Sequence, residues 1–428
     1  MSQVTLLILI FIILALLLRL DIVFYIVYVI AGIYFLARWM TPRAFRALKM
    51  DRQFADHAFL GERVEVTLRL HNQKRLPLPW LQLDESVAPE LAGGPAPRFA
   101  VSLRGRESRE FHYAVQAIRR GYYRLGPLTV RTGDLFGWSE LRAQAPASYL
   151  TVYPRITPLA RLGLPSRLPF GTIASQRRHF EDPARPVGVR EYHRGDSMRL
   201  INWKVSAHSD NLLVKTLQPA ISLDTCILLN LNRDDFSAAT RYSAPEWAIE
   251  IAASLAAHLV EQQQAVGLAT NGRDLLRLMA QEQDEAMPFD PVTGRLMPPE
   301  GALPESAQQA APLQPRRGRD HLMKILELLA RVEPMPAAPF AGWLPQATLR
   351  LSWGVTLPVI TPEASDEIVQ ALHRLVRAGF NPVLIVTTRV AEFGQVRARA
   401  RQLGYTAYNV AAPPDLDIWR QQRFTGVA

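Results

Sequence analysis

A chain of 428 residues, 48% hydrophobic and 21% charged, is long enough for more than one buried core and too apolar to stay unfolded. Its net charge of +10 comes from basic side chains spread along the chain rather than gathered in a nucleic-acid module, so nucleic acid is excluded as a partner and membrane lipid headgroups are expected instead. The single cysteine, Cys226, excludes an internal disulfide.

In chain order, the first feature is apolar. Val4 to Leu18 is interrupted only by Thr5, and a second run from Ile22 to Ala37 follows Arg19-Leu20-Asp21. Residues 1–40 are therefore expected to form a transmembrane helical hairpin, with each arm short against the roughly 20 residues that a bilayer requires. Arg38, Arg43, Arg46, Lys49 and Arg52 come after the second run, and no basic residue precedes the first. Positive charge marks the cytoplasmic flank, so a multi-pass inner-membrane protein with a cytoplasmic body is expected.

Residues 51–155 alternate in short steps. Val64, Val66, Leu68 and Leu70 are apolar with Glu65, Thr67 and Arg69 between them, the pattern of a half-buried strand. Further strands are expected at 81–83, 99–103, 110–117, 122–125 and 128–132, which predicts a β-sandwich-like domain. Residues 156–224 connect it to an α/β domain over 225–412. There, strands at 225–232, 266–269, 356–360, 383–386 and 406–410 alternate with helices at 244–264, 320–332, 362–378 and 390–403. Ser243 with Glu246 reads as a capping box for the first helix. Residues 287–315 are rich in breakers and read as a solvated loop insertion, and 413–428 as a tail.

The connecting segment holds the most distinctive stretch, Arg190-Glu-Tyr-His-Arg-Gly-Asp-Ser-Met-Arg-Leu-Ile-Asn-Trp-Lys-Val-Ser-Ala-His208. It resembles the central motif of the domain-of-unknown-function 58 family, with Arg190, Tyr192, Gly195, Asp196, Arg199, Ile201, Trp203, Ser206 and Ala207 on the pattern. Arg120-Gly-Tyr-Tyr-Arg-Leu-Gly-Pro127 and Gly133-Asp-Leu-Phe-Gly-Trp138 support it upstream. The resemblance implies a membrane hairpin, a β-rich domain and a carboxy-terminal domain similar to the von Willebrand factor A fold. It also implies MoxR-type AAA ATPases as partners, with transglutaminase-like proteins often encoded nearby, and no established activity.

A von Willebrand A domain often holds a divalent metal through Asp-x-Ser-x-Ser after its first strand. Here that stretch reads Asn230-Leu-Asn-Arg-Asp234, and the later acidic position falls on Thr361. With the first carboxylate missing and Arg233 inserted, neither metal nor cofactor is expected; Asn230, Asn232 and Asp234 are degenerate candidates, with strand-end hydrogen bonding as their simpler role. Asp196 beside Arg190, Arg194 and Arg199 reads as a structural ion pair docking the two bodies together, and Tyr192 and Trp203 as apolar anchors in that packing. His179, His193 and His208 have no metal-ligand spacing, and Cys226 lies in an apolar strand. No catalytic residues are assigned. The expectation is a non-enzymatic membrane-anchored scaffold whose interaction candidates are Arg190, Tyr192, Gly195, Asp196, Arg199, Trp203 and Lys204. The alternatives are a metal-dependent hydrolase using Asp196 and an extracytoplasmic binding protein.

Overall fold

The structure is a computed structural model. It describes residues 21–88, 91, 97–133, 140–159, 161–162, 164, 181–193, 196–209, 211–219, 224–274, 276, 309–352 and 354–411. The described chain divides into two units, one ending at Pro154 and the other starting at Arg155. The first arm of the expected hairpin, the 134–138 signature, Arg194, Gly195, His179 and the tail lie outside the described residues.

Helix α1, Asp21–Phe45, contains the second apolar run but continues past it through Arg38 and Arg43. Its last turns are built into the first unit, where Tyr34, Thr41, Ala44 and Phe45 are buried. Ala44, Phe45 and Leu48 share a core with Leu68, Leu81 and Val130. Among the described residues no helix is long and apolar enough to cross a membrane. The expected transmembrane hairpin and the multi-pass inner-membrane location are therefore corrected. The run was read as lipid-facing throughout, whereas the helix that contains it ends as part of a protein core.

Two sheets follow. Strands β1 (Leu48–Gln53), β3 (Arg63–Asn72) and β6 (Ser108–Gln116) form one, in the order β1-β3-β6. Strands β2 (His57–Phe59), β4 (Leu78–Val87), β5 (Arg98–Leu103), β7 (Gly121–Gly133) and β9 (Ser148–Tyr153) form the other, in the order β2-β9-β7-β4-β5, with β8 (Glu140–Ala145) also paired to β7. Alternation places Val64, Val66, Leu68 and Leu70 of β3 inward, all buried: Leu68 and Leu70 against Leu81, Leu83 and Val130 of the facing sheet, and Val64 and Val66 against Tyr123, Leu125 and Val152. The two strands expected at 122–125 and 128–132 are one, because Gly126 adopts φ +94° and lets β7 run on. A Cβ at Gly126 would also lie 2.6 Å from Nη2 of Arg52.

Arg52 is thus not a flank of charge beside lipid but a tie between sheets. Its Nη2 donates to Glu85 Oε1 at 2.7 Å and its Nη1 to Ser148 Oγ at 2.9 Å, with the Glu85 side chain fully buried. Burial raises the Glu85 carboxyl to about 6, against the opposing pull of Arg52. Tyr123, in the Arg120–Pro127 signature, is fully buried, and its hydroxyl donates to the Arg119 carbonyl at 2.8 Å. That signature holds the sandwich together.

In the second unit, β10 (Glu181–Glu191) and β11 (Leu213–Pro219) make an antiparallel two-stranded arm. The larger sheet comprises β12 (Thr225–Leu229), β13 (Val266–Thr270), β15 (Leu313–Arg316), β17 (Thr356–Thr361), β18 (Asn381–Val386) and β19 (Thr406–Asn409), in the order β15-β13-β12-β17-β18-β19. All neighbours are parallel except β15. Counted along the sheet strands alone the order is 3-2-1-4-5-6, a doubly wound sheet whose direction reverses between β12 and β17. Its central strands read Thr-Cys-Ile-Leu-Leu and Thr-Leu-Pro-Val-Ile-Thr and are buried throughout, as a sheet covered on both faces requires. Burial raises the Cys226 thiol to about 12 and leaves it unreactive.

Helices α2 (Ala244–Glu261), α3 (Arg319–Arg331), α4 (Phe340–Thr348), α5 (Asp366–Arg377) and α6 (Phe393–Gln402) belong to this unit. The capping box at Ser243 does not form: Ser243 is already in the helical region, with φ −96° and ψ −37°, and its side chain caps nothing. At α5 the cap is Ser365, which accepts from the Ile368 amide, so the helix begins at Asp366 rather than at Pro362. The expected loop insertion ends in a strand before residue 315, because β15 pairs Leu313 with Leu268 and Arg316 with Val266. Strand β14 (Arg273–Asp274) pairs β16 (Val332–Glu333) beside it.

Replacing Arg52 by Met leaves Glu85 buried without its partner and is expected to lower stability by about 3–5 kcal/mol, whereas pairing it with Glu85→Leu restores most of the loss. Because the folded Glu85 binds its proton more tightly than the unfolded one, its contribution is complete below pH 4.5 and lost as pH rises to about 6. Urea midpoints across that window should therefore fall more steeply for the native chain than for Glu85→Gln.

Candidate functional site

Two places collect chemistry-bearing side chains, and both lie in the second unit. The first is the excursion between β10 and β11. Arg190, at the end of β10, donates from Nη1 to Asp196 Oδ2 and from Nη2 to Asp196 Oδ1, both at 2.7 Å. The His193 amide donates to the same carboxylate at 2.9 Å. Arg190 and then this amide hold the Asp196 carboxyl at about 2, well below the usual carboxylate range.

The pair therefore closes a local turn between residues six apart; it is not a clamp between bodies. Arg199 takes no part in it, being exposed and without a side-chain hydrogen bond among the described residues. The rest of the excursion folds back by backbone bonds. Tyr192 N donates to Leu212 O and Asn202 N to Leu213 O, both at 2.8 Å, and Leu213 N donates to Ser206 Oγ at 2.9 Å. Ile201 bridges Val214, and both are buried.

These anchors leave other side chains outside. Trp203, in the single helical turn Trp203–Ser206, is 65% exposed and Met198 is 73% exposed. Val189, Val205 and Leu212 are exposed as well, as is Lys204. The anchor role expected for Trp203 is thus corrected: Ile201, two residues earlier, is the buried side chain here, and Trp203 is exposed. Tyr192 is partly buried.

The second place is the carboxyl end of β12, beside the reversal point of the sheet, where doubly wound folds usually bind ligands. Asn230 is fully buried. It donates from Nδ2 to Asp235 Oδ2 at 2.7 Å and to Thr361 Oγ1 at 3.3 Å. Its Oδ1 accepts from the Asn232 amide at 2.9 Å and from Asn271 Nδ2 at 3.1 Å. Asn232 donates from Nδ2 to Asp235 Oδ1 at 2.7 Å, and its Oδ1 accepts from the Ala337 amide at 3.1 Å. Asn271 Oδ1 accepts from the Leu231 amide at 2.6 Å.

The structure brings Asn230, Asn232 and Thr361 together, as their places at strand ends suggest, and adds Asp235 and Asn271. Asp234 remains exposed. The two acids are adjacent in sequence, and only the short 3-10 turn Arg233–Asp235 decides which one faces the amides. An Asn-Gly pair just after β13 is the one sequence signal for Asn271.

A divalent cation does not fit this arrangement. The amide oxygens of Asn230, Asn232 and Asn271 already accept N–H groups, and both oxygens of Asp235 face amide nitrogens rather than open space. Among the described residues, no group of three or more His, Cys, Asp or Glu side chains could hold a metal ion.

Residues 188–287 match the DUF58 family, described as a protein of unknown function. An uncharacterized Bacillus subtilis protein, YeaD, is 25% identical over 248 residues, which is 57% of this chain and 60% of the relative. The chain thus spans about 60% of the length of that curated relative. Among solved structures, the CARDB domain of a Pyrococcus furiosus protein in complex with di-metal ions matches 24% of this chain and 91% of that chain, at 15% identity and a TM-score of 0.20. A β-glucosidase from Listeria innocua matches 24% and 16%, at 11% identity and a TM-score of 0.16. Scores this low establish neither fold nor function.

Removing Asp235 as Asp235→Ala leaves two buried amides short of an acceptor and is expected to destabilise the second unit by about 1–3 kcal/mol per group, read by urea unfolding. Magnesium should leave the thermal midpoint of the native chain unchanged. Asn230→Asp with Asn232→Asp should lower it, and magnesium should then restore it. At the arm, Asp196→Asn is expected to speed hydrogen exchange at the His193 amide while β12 keeps its protection.

Proposed function

From the match of residues 188–287 to the DUF58 family, we propose a non-enzymatic docking protein whose doubly wound unit, similar in layout to a von Willebrand A domain, receives a MoxR-type AAA ATPase. The observation that carries this reading is the composition of the family-matched stretch. It begins at the β10–β11 arm, with its exposed Trp203 and Met198, and runs through the Asn230 cluster at the sheet reversal. Its ionic chemistry is turned inward: the Asp196 carboxylate is taken by Arg190 and the Asp235 carboxylate by two amides. Exposed apolar groups beside internally satisfied polar ones suit binding of a protein better than turnover of a substrate.

The von Willebrand A likeness is supported by the 3-2-1-4-5-6 strand order with one antiparallel edge strand. A transglutaminase-like protein is the second partner class to assay. The test is sedimentation of the purified full chain with the MoxR-type ATPase of the same genome, in the presence of ATP, ADP or neither. A complex in at least one nucleotide state is expected. Independent sedimentation in all of them overturns the reading.

A further inference from the structure

The arm exposes apolar side chains next to cations that have no partner among the described residues. Between residues 188 and 215, the carboxylates among the described residues are Glu191 and Asp196. Glu191 accepts from Asn211 Nδ2 at 3.0 Å, and Asp196 is held by Arg190 and the His193 amide. Both acids are therefore occupied inside the arm. Arg199, Lys204 and Lys215 are exposed and make no side-chain hydrogen bond or ion pair among the described residues.

The same excursion carries Met198 at 73%, Trp203 at 65% and Leu212 at 46% exposure. In the β10–β11 register Val189 faces Lys215, and Val214, the next residue along, is buried. Val189 and Lys215 therefore share the outward face, an apolar and a basic group side by side. An exposed indole on a backbone pinned by Ile201 and Val214 loses little freedom on being covered, which is the property of an interface anchor.

Building on the docking role proposed above, we propose that the exposed side chains of the arm bind an acidic protein surface, with Trp203 entering an apolar pocket and Arg199, Lys204 and Lys215 meeting carboxylates around it. The charge decides the occupant. A second copy of the arm would bring unpaired cations against cations, whereas an acidic partner neutralises them and gains faster association at low salt.

The experiment places a photoreactive benzoylphenylalanine at Met198 in the full chain, expressed in its own host, and identifies the peptide joined to it on illumination. The expected product is a protein adduct whose joined peptide carries excess Asp and Glu. Its yield should fall about thirty-fold with Trp203→Ala, the effect of losing an aromatic anchor, and fall with Arg199→Glu plus Lys204→Glu. Trp203→Ala is already outside the core, and unchanged protection of the His193 amide shows that the arm is intact. Adducts to nucleic acid or lipid, a joined peptide without excess carboxylates, an adduct indifferent to both variants, or no adduct each overturn the proposal. An acidic partner that is not the AAA ATPase overturns the partner named above and supports this inference. Capture of the ATPase that is indifferent to Trp203 and to the charge reversals does the reverse.

Discussion

A buried asparagine amide has two donors and two acceptor sites, and at Asn230 all four are used within the protein. Its partners come from Asp235 and Asn232 in the turn that follows β12, from Asn271 after β13 and from Thr361 at the end of β17. Three strand ends and one turn are thereby fixed by a single side chain with no exposure. Leaving any of these groups unpaired in such surroundings is costly, so the edge is held in one arrangement. What distinguishes this sheet end from a ligand site is that its binding capacity is turned on itself. The neutral amides also spare the interior the repulsion that carboxylates would bring.

The 120–127 stretch and the 190–208 motif do different physical work. Arg120, Gly121, Tyr123 and Gly126 serve the sandwich: Tyr123 is fully buried, and Gly126 makes room for Arg52 on its way to Glu85. The 190–208 motif, by contrast, builds a projection. Among its described residues only Ile201 is buried, against Val214 of β11, and a bidentate ion pair takes the place of a larger core in setting its shape.

Much of the architecture was legible because period decides it. The alternation in β3 and the apolar runs of β12, β17 and β18 could only be strands, and α5 was recognisable from its stripe of Ile368, Val369, Leu372 and Leu375. Other features depend on tertiary context. An apolar run at the amino terminus reads the same whether its helix ends in lipid or, as α1 does, in Ala44 and Phe45 of a protein core. Helix α4 has no counterpart among the expected helices: it is short, Pro339 precedes it, Pro345 lies inside it, and Phe340 stacks on Trp343 at 5.4 Å. Arg52 looked like its basic neighbours until the facing sheet supplied Glu85. Asp234 and Asp235 could not be told apart, since a single residue of turn geometry separates an exposed carboxylate from one held by two amides.

The pairing around β14 and β15 has a consequence for how the edge of the sheet is held. Arg273 bridges Gln309, the Ala310 amide donates to Gly272 O at 2.9 Å, and Gln309 Nε2 donates to Thr270 O at 3.1 Å. The chain is thus clamped side by side just after β13 and just before β15, so backbone and amide bonds beyond the strands, and not the strand pairing alone, set the register of this sheet edge.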